Sequence, residues 1–303
     1  MREYEDIKYK EQWLYISEVD KGWSEDKKFY VKTKGENELL LRICDIRNYE
    51  KKKKEFEIVK QLNEKSLNMS RAIDFGICNN GKSVYSLYSW INGCDARENI
   101  DRLSKKEQYD LGVVSGKYLK EIHSISAPSN IEEWQEKFNS KIDRKIDSYK
   151  KCGMILENDD KIINYLEKNR ELLKDRPQCL QHGDYHIGNM VITEGNKLGI
   201  IDFNRFDYGD PWEEFNRIVW SAEVSSEFAS GCINGYFDNS VPDMFFKLML
   251  LYISSNQIST VAWAKHFGEK EIEVAINQTR KVVEWYDYYR SYIPNWYIRY
   301  MKS

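Results

Sequence analysis

Proline is scarce in this chain, with five in 303 residues, and no Ser/Gly-rich tract occurs, which argues against a long disordered linker. Charge of one sign is also lacking: the net charge of −3 gives no bulk electrostatic case for nucleic acid. The six cysteines, Cys44, Cys78, Cys94, Cys152, Cys179 and Cys232, include no C-x-x-C pair. That argues against a disulfide frame and a Cys-based zinc site, and fits a reduced, cytoplasmic protein. Long apolar runs are missing too. The start MREYEDIKYK is charged throughout and cannot serve as a secretory h-region. The most apolar helical stretch, 244–253, is interrupted by Lys247 and is too short to cross about 30 Å of hydrocarbon. No G-x-x-x-x-G-K-[ST] loop is present, against a P-loop, and no G-x-S-x-G, against a nucleophile elbow.

What the chain does have is an aromatic share of 14% and a length that suggests two subdomains. Residues 13–16, 28–31 and 38–43 read as strands separated by polar turns, and 84–91 as another strand ended by Asn92-Gly93. Beyond it the pattern becomes mainly helical, so the boundary falls near Ile91, giving 1–91 and 92–303. A helix is expected over 49–62. There Ile58, Val59 and Leu62 follow Glu55 by three, four and seven residues, which puts Glu55 on the apolar stripe. An inward carboxylate wants a cation, and Arg42 on the preceding strand supplies one; the alternative is an exposed glutamate at the stripe's edge. The four lysines at 51–54 read as a solvated helix start. Ser104 followed by Glu107 fits a capping box for a helix over 104–123. Further helices are expected over 131–151, 159–174, 211–227, 243–265 and 269–290.

The densest chemistry lies at 179–210, CLQHGDYHIGNMVITEGNKLGIIDFNRFDYGD. Asp184 follows His182-Gly183 in a loop before a strand, Asn189 comes five residues later, and Asp202 closes the next strand. One carboxylate and one amide oxygen, completed by phosphate oxygens and water, suit six-coordinate Mg2+. That leaves Asp184 to orient or deprotonate a hydroxyl, the division of labour phosphoryl transfer requires. Zinc on His182 and His186 is disfavoured because the surrounding glycines deny the helix that would align them. Cys179 sits inside an apolar strand and is a poor nucleophile.

His182-Gly183-Asp184-Tyr185-His186-Ile187-Gly188-Asn189 followed by Ile200-Ile201-Asp202-Phe203 resembles the signature of the aminoglycoside phosphotransferase family. The resemblance extends over nearly the whole chain. It implies an α+β, two-lobed protein-kinase-like fold. The N-terminal antiparallel sheet with one helix (1–91) would bind nucleotide, and a larger helical lobe (92–303) would carry the catalytic hairpin and acceptor site. By the resemblance, Asp184 is the catalytic base and Arg205 lies close to the transferred phosphate. Asn189 and Asp202 hold Mg2+, and ATP or GTP is the phosphate donor. Gly22-Trp23-Ser24 matches the nucleotide-covering loop, with Ser24 contributing a contact. Arg42 and Glu55 hold the phosphates, and backbone groups of Ser89 and Ile91 hold the base. His182 and Asp210 are structural. Tyr88, just before the hinge, narrows the base pocket and favours GTP.

Arg42 departs from the lysine usual in the family, and the covering loop is poor in glycine. Both features also suit a nucleotide- or ligand-binding pseudokinase. The acceptor implied is a small-molecule hydroxyl: an aminoglycoside-like antibiotic or amino sugar first, with antibiotic resistance as the role, a macrolide or choline-like molecule otherwise. A protein substrate is disfavoured because no D-F-G…A-P-E frame is present. Asp207, Glu213, Glu214 and Glu223 are the carboxylates a polycationic acceptor would use. The aromatic run from Trp285 to Tyr289, continued by Trp296 and Tyr297, either stacks on sugar rings or packs the lobe.

Overall fold

The computed structural model describes residues 2–20 and 26–299. It divides into two compact units, one formed by 1–95 with 190–204 and the other by 96–189 with 205–303. In chain order the first unit contains β1 (Trp13–Glu18), β2 (Lys27–Thr33), β3 (Glu38–Asp45), α1 (Tyr49–Leu62), β4 (Ala72–Cys78), β5 (Ser83–Ser89) and β6 (Cys94–Asp95). The second takes α2 (Ala96–Asn99), α3 (Lys105–Ile122), α4 (Trp134–Cys152), α5 (Asp159–Lys168) and β7 (Cys179–Gln181). The hairpin β8 (Met190–Thr193) and β9 (Lys197–Ile200) belongs to the first unit. The second unit ends with β10 (Asp207–Gly209), α6 (Ile218–Val224), α7 (Ser226–Tyr236), α8 (Asp243–Ala264) and α9 (Glu269–Trp285).

In the first unit the sheet runs β1-β2-β3-β5-β4, antiparallel throughout. Strand alternation sorts its side chains into two faces. Val31, Leu39, Leu41, Ile43, Tyr85 and Leu87 form one face and pack against Tyr4 and Ile7 of the N-terminal segment. Each fully buried aliphatic there is worth about 1.5–3 kcal/mol. Across the strands, Lys28, Arg42, Ser86 and Phe75 are register partners in one row, and Phe75 meets Tyr49 and Phe56 of α1. β4 has no strong sequence signal because Asp74 and Gly76 interrupt its alternation. Asp74 is nevertheless satisfied, accepting from the Tyr85 hydroxyl at 2.8 Å. The hairpin is fastened by β6, which pairs with β8, and by Asn68, whose Nδ2 donates to the Leu198 carbonyl at 3.0 Å.

In the second unit α3 opens with the expected capping box, both halves formed by Ser104 and Glu107. α3 and α7 meet backbone to backbone. A Cβ on Gly112 or Gly116 would stand 2.1 or 2.0 Å from the Phe228 or Cys232 carbonyl oxygen, and Gly231 and Gly235 face α3 equally closely. The single helix expected over 211–227 is instead a 3-10 turn (Glu213–Arg217) followed by α6 and the start of α7. The break is at Ser225, whose extended backbone lets its hydroxyl accept from the Phe228 N–H at 3.0 Å and cap α7. Trp134 and Phe138 of α4 pack with Tyr252 of α8. Among the C-terminal aromatics Tyr286 is wholly buried, Trp285 meets Trp296 and Tyr297 meets Phe246, while Tyr288 is exposed. All six cysteines are free. Among the described residues no helix is long and apolar enough to cross a membrane.

Candidate active site

In the first unit Arg42 is the centre of a buried charge cluster. Its Nε and Nη2 donate to Asp26 Oδ2 at 2.9 and 2.7 Å. Its Nη1 lies 3.1 Å from Asp202 Oδ1 and 3.4 Å from Glu55 Oε1. The expected Arg42–Glu55 pair is therefore formed, with Glu55 buried on the inward stripe of α1. Lys52 overturns the reading of 51–54 as a uniformly solvated helix start. It is buried, with Nζ 2.6 Å from Asp26 Oδ2 and 2.9 Å from Glu55 Oε2. The signal was present in the sequence: Lys52 precedes Glu55 by three residues, so the periodicity that turns one inward turns the other. Asp26 has no comparable local signal. Burial would raise its carboxyl pKa, but the Arg42 and Lys52 charges prevail and hold it below the ordinary value. Ser24, with Gly22 and Trp23, lies outside the described residues.

Asp202, just beyond β9, adopts a left-handed backbone with φ +68°. That conformation is costly for most side chains and tolerated by aspartate, and such strain gathers at functional positions. At the end of β5 the Ser89 N–H is already used, donating to the Arg71 carbonyl at 2.9 Å. Tyr88 is buried with its ring 5.8 Å from Phe56, and its hydroxyl has no hydrogen-bond partner among the described residues.

In the second unit the loop after β7 is shaped by Gly183. At φ +83°, a Cβ there would fall 1.8 Å from the Arg205 carbonyl oxygen, so only glycine lets the loop and the Arg205 segment approach. β7 pairs with β10 on either side of this contact. The buried Glu214 carboxylate clasps the loop, accepting from the Gly183 N–H at 3.0 Å and the Tyr185 N–H at 3.3 Å. His182 is fully buried and its Nδ1 accepts from the Asp184 N–H at 3.3 Å, a bracing role. Asp210 is likewise structural: Arg176 and Tyr252 both bond its carboxylate.

The Asp184 carboxylate points among three donors. Oδ1 is 3.4 Å from Arg217 Nε and 3.6 Å from His186 Nε2, and Oδ2 is 3.7 Å from Arg205 Nη1. The Gly188 N–H donates to His186 Nδ1 at 3.0 Å, which assigns the proton of a neutral ring to Nε2, facing Asp184. Burial holds His186 neutral, its pKa pushed down to about 4 against the pull of Asp184. Asn189 Nδ2 donates to the Asp184 carbonyl at 2.8 Å, which fixes the amide and leaves Oδ1 as its acceptor. Asp184, Asn189 and Arg205 thus come together in this unit, as Arg42, Glu55 and Asp202 do in the other.

A sequence model described as the phosphotransferase enzyme family matches residues 16–245. The chain belongs to that family. Comparison with curated proteins gives no match. Similar solved structures include the gentamicin complex of APH(2")-IIa, 18% identical over 89% of this chain and 92% of that one, with a TM-score of 0.63. Another is the ternary complex of a thermostable APH(4)-Ia mutant with ADP and hygromycin B, at 14% identity, 90% and 94% coverage and a TM-score of 0.64. The GDP complex of aminoglycoside 2'-phosphotransferase-IIIa gives 13% identity, 91% and 93% coverage and 0.68. At these identities the likeness establishes the expected α+β, kinase-like fold.

The carboxylates expected to serve a cationic acceptor in this phosphotransferase are already engaged. Glu213 is bound by Lys141 at 3.0 Å and by Gln181, and Glu214 by the loop amides. Asp207 lies 3.5 Å from Lys137 and Glu223 2.6 Å from Lys281. Arg217 and His186, which the sequence reading left out of the site, join Arg205 beside Asp184.

Proposed function

We propose that this phosphotransferase moves the γ-phosphate of ATP or GTP to a hydroxyl of a small molecule. Asp184 takes the hydroxyl proton, and Arg205 faces the transferred phosphate. Arg42, held by Glu55, binds the donor's phosphates together with Ser24. Ile91, with the remaining backbone of Ser89, holds the base. The observation that carries the reading is the condition of Asp184: donors surround it at 3.4–3.7 Å and none among the described residues closes on its oxygens at direct hydrogen-bond distance. Asn189 Oδ1 and the Asp202 carboxylate are hard oxygen donors that suit Mg2+. When bound, the ion would neutralise charge on the β- and γ-phosphates. A cytoplasmic location would suit a nucleotide donor and six free cysteines.

A second reading, nucleotide binding without transfer, draws on one observation: Arg42 replaces the usual lysine and already contacts three carboxylates. Thermal shift with Mg·ATP and Mg·GTP, followed by phosphate-transfer assays on a panel of hydroxylated acceptors, separates the two. Transfer that disappears in Asp184→Asn supports the kinase reading. A nucleotide shift with no transfer to any acceptor favours the second. Family membership leaves the acceptor class to be read from this chain's own side chains.

A further inference from the structure

From the side chains around Asp184 we propose that the acceptor is anionic: a small hydroxylated molecule with a carboxylate or phosphate group close to the hydroxyl that is modified. The inference rests on the kinase reading above. Arg217, at the end of the 3-10 turn Glu213–Arg217, approaches Asp184 Oδ1 at 3.4 Å and keeps about a third of its side chain exposed (31%). Behind it, α4 presents Lys141 and Lys145 one turn apart. Lys145 Nζ bonds only neutral oxygens, Asn256 Oδ1 at 2.7 Å and Ser255 Oγ at 3.2 Å, and no carboxylate among the described residues pairs with it. Burial, then the Lys141 and Arg217 charges, push the Lys145 ammonium down to about 7. Glu213 is the nearby acid whose charge counters Lys145, and Lys141 already holds it at 3.0 Å.

The part-exposed basic groups beside Asp184 are two guanidiniums, Arg217 and Arg205, against its single carboxylate. Of the other acids nearby, Glu213 is held by Lys141 and Glu214 by the Gly183 and Tyr185 amides. A polycation entering beside Asp184 meets like charges at close range, while an anion is drawn in. Guanidinium is also the side chain best matched to a carboxylate or phosphate through paired N–H donors. An anion seated on Arg217 would draw that side chain off Asp184 and free the carboxylate for the hydroxyl. Arg205 would remain for the transferred phosphate.

The test uses the full chain with Mg·ATP and with Mg·GTP and follows release of the nucleoside diphosphate. The acceptors are D-glycerate and gluconate as carboxylates, glycerol 3-phosphate and glucose 6-phosphate as phosphates, their uncharged counterparts glycerol and glucose, and kanamycin as a polycation. Turnover confined to anionic members is expected, with the carboxylate and phosphate arms deciding which anion is read. Arg217→Met should raise KM for the accepted anion about 10- to 100-fold with a smaller change in kcat. Arg217→Lys should recover part of the loss and Arg217→Glu should deepen it. Turnover of kanamycin, equal turnover of neutral and anionic members, or no response to the anions at millimolar concentration overturns the proposal. A wild-type protein that Mg·ATP or Mg·GTP stabilises but that ignores the anions fails this inference alone; one that neither nucleotide stabilises fails the kinase reading first.

Discussion

The two charge clusters of this molecule are built on opposite plans. Around Arg42, two cations and three carboxylates interlock at 2.6–3.4 Å, and all but Asp202 are nearly closed to solvent. Around Asp184, the nearest charges stand at 3.4–3.7 Å, and Arg205 is half exposed. Buried ions are costly to desolvate, and they tolerate that only when every one has partners. The first cluster is thus a finished holder that fixes the direction of a guanidinium. The second keeps one carboxylate uncommitted, which a proton acceptor needs. Completeness suits positioning, and incompleteness suits chemistry.

The comparison can be broken from either side. Asp202→Ala strikes both a proposed Mg2+ donor and a partner of Arg42, so transfer and the magnesium dependence of nucleotide binding should disappear together; an unchanged magnesium requirement in titrations would count against the assignment. Asp184→Asn should lower kcat by about 10²- to 10⁴-fold while nucleotide binding, read by thermal shift, stays near wild type. Glu55→Gln leaves Arg42 and Lys52 short of a buried counter-charge. It should cost about 3 kcal/mol in chemical denaturation and weaken nucleotide binding; a variant as stable as wild type would show the cluster to be dispensable.

The smallest effect concerns Lys145, whose folded pKa of about 7 lies below the ordinary 10.5. Between those values the unfolded chain binds a proton that the folded chain does not, so this lysine makes stability rise with pH across that window. Lys145→Met should therefore gain stability over wild type most at and below about pH 7, the gain shrinking as pH climbs toward 10.5. Melting curves at several pH values check the sign.

Much of this was legible locally. Helix α1 has the limits its periodicity implies, and Ser104 with Glu107 announced the start of α3. Asp184, Asn189 and Asp202 were visible because their spacing is short and their strands are apolar. What escaped depended on partners distant in sequence. Asp26 acquires meaning only beside Arg42 and Lys52. Glu213 and Glu214 looked like free surface acids until Lys141, Gln181 and the loop amides were found on them. β4 was hidden because Asp74 is satisfied across the sheet by Tyr85. The break at Ser225 was hidden because one hydroxyl, and no proline or glycine, ends the turn.

The meeting of α3 and α7 has a bearing on timing. Tyr185, the residue after Asp184, donates its hydroxyl to the Ser115 carbonyl at 2.8 Å, and Ser115 lies between Gly112 and Gly116 where the two backbones touch. Helices in such contact have no intervening side chains whose rearrangement would let them slide, so this seam should contain the most slowly exchanging amides of its unit. The loop of the proposed base, moored to it, loses its conformational freedom once, during folding, and would begin each turnover already ordered.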